Sequence, residues 1–129
     1  MFSPEILDHF QNPRNAGELD DPSAAVEVSN PVCGDILRLA VRIEQGKIAQ
    51  ARFLCRGCAT AIACASRLTE LLSGDSLRRL REISVEELSR SLGGLPAETI
   101  HGAYLAVDAA RATAKKLQPG APPPPVTTA

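Results

Sequence analysis

The chain has 129 residues, with 14 basic and 15 acidic side chains and a formal net charge of -1. Its length suits one domain, and its balanced charge, with only three Phe and one Tyr, argues against nucleic acid as a partner. The sequence has no apolar run near the roughly 20 residues that cross a bilayer and no secretory signal pattern at its N-terminus, so we expect a cytoplasmic protein without membrane contact.

The first half of the chain predicts one helix followed by three strands. A short helix begins at Ser3, with proline at its first position, and ends before Pro13. Three apolar segments follow within residues 24–53, separated by turn signals at Pro31 and Gly46. This pattern is typical of a three-stranded antiparallel meander with a hairpin turn near Gly46.

The next segments are predicted to be helical. Cys58 opens a helix rich in small residues, which would let the helix lie close to a sheet. Asp75 or Ser76 is expected to cap a short helix, and Ser84 with Glu87 has the form of a capping box for another.

A last helix is predicted between Pro96 and Pro119. Residues 118–129 are proline-rich and carry no large apolar side chain beyond Val126, so we expect a disordered tail after a domain that spans residues 1–117. The predicted fold class is α+β: a short N-terminal helix, a three-stranded antiparallel sheet, and helices packed on that sheet.

Two segments offer candidate metal ligands. In a reducing compartment, cysteines serve more often as ligands, reactive thiols or core residues than as disulfides. Cys33-Gly34-Asp35 places a thiol and a carboxylate on either side of a glycine, so that both could face one ion; a turn with a buried cysteine is the alternative. Cys58 lies at a predicted helix N-terminus, where free amides and the helix dipole favour an anionic ligand.

The other cysteines have competing interpretations. Cys55 and Cys58 could form a redox pair or half of a zinc knuckle, but no second Cys-x-x-Cys or histidine pair follows. Cys64 lies about 120° around the helix from Cys58, which predicts a core cysteine rather than a second ligand.

The two histidines are also assigned different roles. His101, near the start of the last predicted helix, is available to coordinate a metal. His9 has no cysteine near it in sequence and is expected to be a surface or packing residue.

These motifs occur together in one known family. From about residue 4 to residue 117 the chain resembles the NifU/IscU family of iron-sulfur cluster scaffolds. The resemblance is carried by residues 8–17 (DHFQNPRNAG), 33–35 (CGD), 51–53 (ARF), 57–63 (GCATAIA), 68–70 (LTE) and 100–101 (IH).

The resemblance implies a scaffold without catalytic activity of its own. Such a scaffold receives iron, takes sulfur from a cysteine desulfurase, builds a transient [2Fe-2S] cluster and passes it to apo-proteins. By position, the resemblance assigns cluster or metal binding to Cys33, Asp35, Cys58 and His101, the residues that the chemistry had already singled out.

The sequence departs from the family pattern at two places. The family has a third cysteine directly after the histidine, generally as the sulfur acceptor, whereas this chain has Gly102. Residues 95–99 (LPAET) differ from the Leu-Pro-Pro-x-Lys element that engages a chaperone, which argues against chaperone-coupled release. Cys55 is the candidate replacement for the missing thiol, and Gly102→Cys is expected to cost no stability because glycine is a poor helix former.

Three functions remain open at this point. Two thiolates, one carboxylate and one imidazole suit tetrahedral Zn²⁺. A [2Fe-2S] cluster more often has cysteine or histidine ligands, although weaker ligation suits a scaffold that must release its cluster. The chain is therefore interpreted as a cluster scaffold, with a zinc-binding accessory or regulatory relative and a sulfur carrier that works with a desulfurase as the alternatives.

Overall fold

The computed structural model describes residues 2–31 and 34–117. They form one three-stranded antiparallel sheet in the order β1-β2-β3, with helices packed against it. The elements in chain order are α1 (Pro4–Gln11), β1 (Ala24–Asn30), β2 (Asp35–Glu44), β3 (Lys47–Arg56), α2 (Ala59–Leu72), α3 (Arg79–Glu82), α4 (Val85–Ser91), a 3-10 turn (Ala97–Thr99) and α5 (His101–Leu117).

The predicted α+β class is confirmed, and so is the antiparallel meander. The hairpin between β2 and β3 turns at Gln45 and Gly46, whose φ angles are +54° and +75°. Two consecutive residues with positive φ match the right-handed twist of the flanking strands, which explains the glycine. The predicted tail, residues 118–129, lies outside the described residues.

The core lies between one face of the sheet and the helices α2 and α5. Each of these helices turns several buried alanines towards its neighbours, so the two helices can approach each other and the sheet closely. Within the described ranges, no helix combines the length and the apolar composition needed to cross a membrane.

The helix starts follow the predicted caps at two of three places. The Ser3 Oγ accepts a hydrogen bond from the Ile6 amide at 3.1 Å, and the Ser84 Oγ accepts one from the Glu87 amide at 3.1 Å. Each such cap stabilises a helix by about 1 kcal/mol. The capping box is only half formed, because the Glu87 carboxylate binds the guanidinium of Arg79.

The cap predicted at Asp75 or Ser76 is borne out only in part: the Ser76 Oγ accepts from the Arg78 amide at 3.3 Å, but neither residue is the N-cap of α3. Helix α3 begins at Arg79, and its N-cap is Arg78. The preceding backbone pairs with the start of β3 instead: the Asp75 carbonyl accepts from the Ile48 amide at 2.8 Å, and Ser76 forms a bridge with Lys47. The helix can therefore start only after this pairing ends.

A buried polar cluster joins α1 to α2. The His9 side chain is buried; its Nδ1 lies 2.7 Å from the Ser66 Oγ, and its Nε2 lies 3.2 Å from a Glu70 carboxylate oxygen. The Ser66 Oγ also accepts from the Arg14 amide at 2.9 Å, and Arg67 binds Glu70 at 2.9 Å. His9 is thus a packing residue with polar partners.

The first prediction concerns the pH dependence of this contact. Burial, followed by the positive charge of Arg14, lowers the pKa of His9 below its usual 6.5, although Glu70 and Asp8 oppose the shift and Arg67 adds to it. Below about pH 6.5 the unfolded chain takes up a proton that the folded chain does not, so stability falls on acidification. Urea midpoints measured between pH 7.5 and 5.5 should therefore fall more for the native chain than for His9→Gln; parallel curves would contradict this assignment.

Candidate metal site

Asp35 is placed by the short connection between β1 and β2. It is the first residue of β2 and pairs with Asn30 across the sheet. The preceding residue, Gly34, has φ +75° and donates its amide hydrogen to the Asn30 carbonyl at 2.7 Å. This left-handed conformation favours glycine and turns the chain so that the Asp35 side chain, only 5% exposed, begins the strand on the core side.

Cys58 is placed where β3 gives way to α2. It is the N-cap residue of α2, in an extended conformation, and its side chain makes no capping hydrogen bond. Its thiol is exposed and therefore free to face other groups.

His101 is the first residue of α5 and follows the 3-10 turn at residues 97–99. The next residue, Gly102, packs directly on the first turn of α2. A Cβ atom at Gly102 would lie 3.2 Å from the Cα and N of Ala61 and from the carbonyl carbon of Thr60. The N-terminal ends of α2 and α5 thus meet, and this contact brings His101 beside Cys58.

The three side chains present their ligand atoms to one another in a near-equilateral triangle. The Cys58 Sγ lies 3.6 Å from the His101 Nε2 and 3.7 Å from the Asp35 Oδ2. The third side, from the His101 Nε2 to the Asp35 Oδ2, is 3.8 Å. Among the described residues, these are the one group of three or more His, Cys, Asp or Glu side chains whose ligand atoms all lie within 4.8 Å of one another.

This triangle matches the demands of a tetrahedral metal ion. Zinc binds sulfur at about 2.3 Å and nitrogen or oxygen at about 2.0–2.2 Å, so tetrahedral angles require edges of roughly 3.4–3.6 Å between ligand atoms. The observed edges of 3.6, 3.7 and 3.8 Å need only small side-chain movements to reach that range. A thiol, an imidazole and a carboxylate are also suitable ligand types for zinc or ferrous iron.

The other thiols of the described residues, Cys55 and Cys64, are not part of the triangle. Cys33, the fourth predicted ligand, lies outside the described residues. Cys55 is half-buried and packs against the core, and burial, together with the nearby charges of Asp35 and Cys58, raises its pKa to about 11. Cys64 is fully buried, as predicted, and burial raises its pKa to about 12.

The protonation of Cys55 weakens its candidacy as the replacement thiol. A thiol with a pKa of about 11 is almost entirely protonated at neutral pH, whereas metal ligation and nucleophilic attack both require the thiolate. Cys55 also lies outside the group of ligand atoms formed by Asp35, Cys58 and His101, so this metal-free arrangement does not include it among the ligands.

The sequence motifs included Gly57 and Gly102 without assigning either a steric role. Both are close-approach glycines: Gly57 lies against Asp35, and Gly102 lies against α2. The sequence offers no signal for these roles, because each depends on contacts with a segment that is distant in sequence.

Comparison with known proteins identifies relatives over nearly the whole chain. Residues 1–119 match the family model described as the NifU-like N terminal domain. The iron-sulfur cluster assembly scaffold protein IscU 1 of Archaeoglobus fulgidus is 39% identical over 111 residues, which cover 86% of this chain and 72% of that protein. The iron-sulfur cluster assembly scaffold protein IscU of Azotobacter vinelandii is 39% identical over 118 residues, which cover 88% of this chain and 91% of that protein.

A solved structure shares the fold. The crystal structure of a protein assigned as an iron-sulfur cluster assembly scaffold for the SUF system, from Fervidobacterium islandicum, superposes with a TM-score of 0.69. The match covers 88% of this chain and 96% of that one at 17% sequence identity.

The second prediction follows from the contact at Gly102 and revises the expectation that a side chain there costs nothing. Gly102→Ala should lower the thermal midpoint, because crowding of two helix backbones costs about 1–3 kcal/mol, whereas the gain in helix propensity is at most about 1 kcal/mol. Differential scanning calorimetry of the metal-free protein measures the change. An unchanged or raised midpoint would show that the two helix ends separate without penalty.

Proposed function

The chain belongs to the family of NifU-like N-terminal domains, and we propose that it is a scaffold on which iron-sulfur clusters are assembled and from which they are transferred. Its cluster or metal ligands would be Cys33, Asp35, Cys58 and His101. The observation that carries the proposal is the triangle of thiol, carboxylate and imidazole at one partly exposed end of the fold.

The accessibility of the three side chains suits the exchange of a bound cargo. Cys58 is exposed, and the His101 side chain is 28% exposed, so iron and sulfur can reach both ligand atoms from solvent or from a docked protein. Asp35 is buried, and its carboxylate is a harder ligand than a thiolate. A site with mixed ligands holds iron less firmly than four thiolates would, and such lability favours release to an acceptor.

The proposed partners follow from this role. A cysteine desulfurase would supply the sulfur, and apo iron-sulfur proteins would receive the cluster. The chain itself would contribute ligands and a docking face rather than a catalytic step, and we place this work in the cytoplasm.

A zinc-binding accessory or regulatory protein is the second candidate. The near-tetrahedral spacing of the three ligand atoms supports it directly, because structural zinc sites accept mixed sulfur, nitrogen and oxygen ligands. Zinc and cluster binding use the same residues, so the identity of the physiological ligand must come from metal analysis. A sulfur carrier is less well supported, since the raised pKa of Cys55 disfavours its thiolate and leaves Cys58 as the one exposed thiol among the described cysteines.

The third prediction separates these functions. After anaerobic incubation with iron, sulfide and a thiol reductant, the native chain should become coloured, and Cys58→Ser and His101→Ala should each lose at least about nine-tenths of the bound iron because a ligand of the site is gone. Absorbance and iron content are measured on the same samples. Cys64→Ala, which removes a fully buried thiol outside the triangle, is the matched control and should stay coloured.

The outcomes of this experiment discriminate between the candidates. A colourless native chain that binds zinc stoichiometrically would favour the zinc-binding relative. A colourless chain that gains a persulfide from a desulfurase, detected by mass spectrometry, would favour the sulfur carrier.

The fourth prediction concerns the replacement of the missing third cysteine. Cys55→Ser should retain iron binding within about twofold of the native chain, because its half-buried thiol lies outside the triangle of ligand atoms. Iron content after reconstitution and a thermal midpoint for folding are measured together. Loss of the cluster in a Cys55→Ser protein that is still folded would contradict this prediction and would identify Cys55 as the third thiol ligand.

A further inference from the structure

The carboxyl group of Asp35 occupies the space that a side chain at position 57 would need. A Cβ atom at Gly57 would lie 2.8 Å from both the Cγ and the Oδ1 of Asp35, and 3.1 Å from its Cβ. Real Cβ atoms essentially never approach other heavy atoms this closely. The bare Cα of Gly57 is therefore what leaves room for the carboxyl group.

The backbone conformation gives no other reason for glycine at this position. The glycines with positive φ among the described residues are Gly17, Gly34, Gly46, Gly74, Gly93 and Gly94, and Gly57 is not one of them. Its φ is therefore not in the left-handed region that favours glycine. The requirement for glycine is therefore steric and comes from Asp35.

The two oxygens of the carboxyl group face different neighbours. Oδ1 lies towards Gly57, whereas Oδ2 lies 3.7 Å from the Cys58 Sγ and 3.8 Å from the His101 Nε2. Asp35 is only 5% exposed, while Gly57 and Cys58 are both exposed. Gly57 thus covers the carboxyl group on the solvent side and fixes the orientation that directs Oδ2 to the other ligand atoms.

We infer that Gly57 is a positioning residue for the metal site: because it has no side chain, the Asp35 carboxylate has room to adopt the ligating orientation. This inference rests on the proposed function, because it concerns how the proposed ligand is presented. A methyl group at position 57 would push the carboxyl group out of its place, and the triangle would lose one corner although all three ligands remain in the sequence.

The fifth prediction is a double-mutant cycle with the native chain, Gly57→Ala, Asp35→Ala and the double variant. Co²⁺ is the probe, because its absorption spectrum reports thiolate ligation and coordination geometry, and Zn²⁺ competition then gives affinities. Gly57→Ala should weaken Co²⁺ binding by about 10–100-fold, the usual effect of losing a group that orients a ligand. In the Asp35→Ala background the same change should have a much smaller further effect, because the carboxyl group is absent and only the Cβ contact at 3.1 Å remains.

A second measurement in the same cycle needs no metal. In the presence of a chelator, Gly57→Ala should lower the thermal midpoint by about 4–8 °C through overcrowding, and should lower it far less in the Asp35→Ala background. Gly102→Ala is the matched control. Its crowding partners are Ala61 and Thr60, so its effect should be the same with and without the Asp35 carboxyl group.

The outcomes separate this inference from the proposed function. Native binding of Co²⁺ with an unaffected Gly57→Ala variant would overturn the positioning role and leave the site intact. Equal losses in both backgrounds would mean that Gly57 acts on the backbone and not through Asp35, which also overturns it. A native chain that binds no metal would overturn the proposed function. The thermal midpoints of the four metal-free variants would then show whether Gly57 and the Asp35 carboxyl group are sterically coupled.

Discussion

The contact between the first turns of α2 and α5 is the constraint on which the candidate site depends. Gly102 rests on the backbone of Thr60 and Ala61, where a Cβ atom would lie 3.2 Å from three backbone atoms and would crowd them. Cys58 is the N-cap of α2 and His101 is the first residue of α5, so the spacing of thiol and imidazole follows from this one contact. The buried alanines of both helices allow close packing along their length, which keeps the N-terminal ends of α2 and α5 side by side.

The sequence predicted the elements better than their contacts. Alternating apolar residues and the turn at Gly46 located the strands, and the hydroxyls of Ser3 and Ser84 located two helix starts. Helix α3 begins later than the cap predicted at Asp75 or Ser76, because the backbone of these residues pairs with β3, and no local sequence pattern indicates this tertiary pairing. Local signals therefore gave the periodic elements but not every boundary between them.

The prediction that the candidate ligands lie together rested on their chemistry and on the family resemblance, because hydrophobic periodicity does not indicate which distant segments are in contact. The steric roles of Gly57 and Gly102 escaped notice for a related reason. A glycine contributes no side chain to a hydrophobic pattern, and its importance is visible only when its neighbours in space are known. The hydrogen-bonded cluster around His9 was equally hidden, since its partners lie on a helix more than 50 residues away in sequence.

The glycine at position 102 has a consequence for sulfur delivery within the proposed function. A sulfur acceptor must be an accessible thiol close to the site, and among the described cysteines only Cys58 meets both conditions, since Cys64 is buried and Cys55 is half-buried with a pKa near 11. The Cys58 thiolate would attack the outer sulfur of the desulfurase persulfide, and the desulfurase thiolate would leave. Sulfur would then arrive on a proposed ligand beside Asp35 and His101, so that among the described cysteines one residue would both receive sulfur and bind iron.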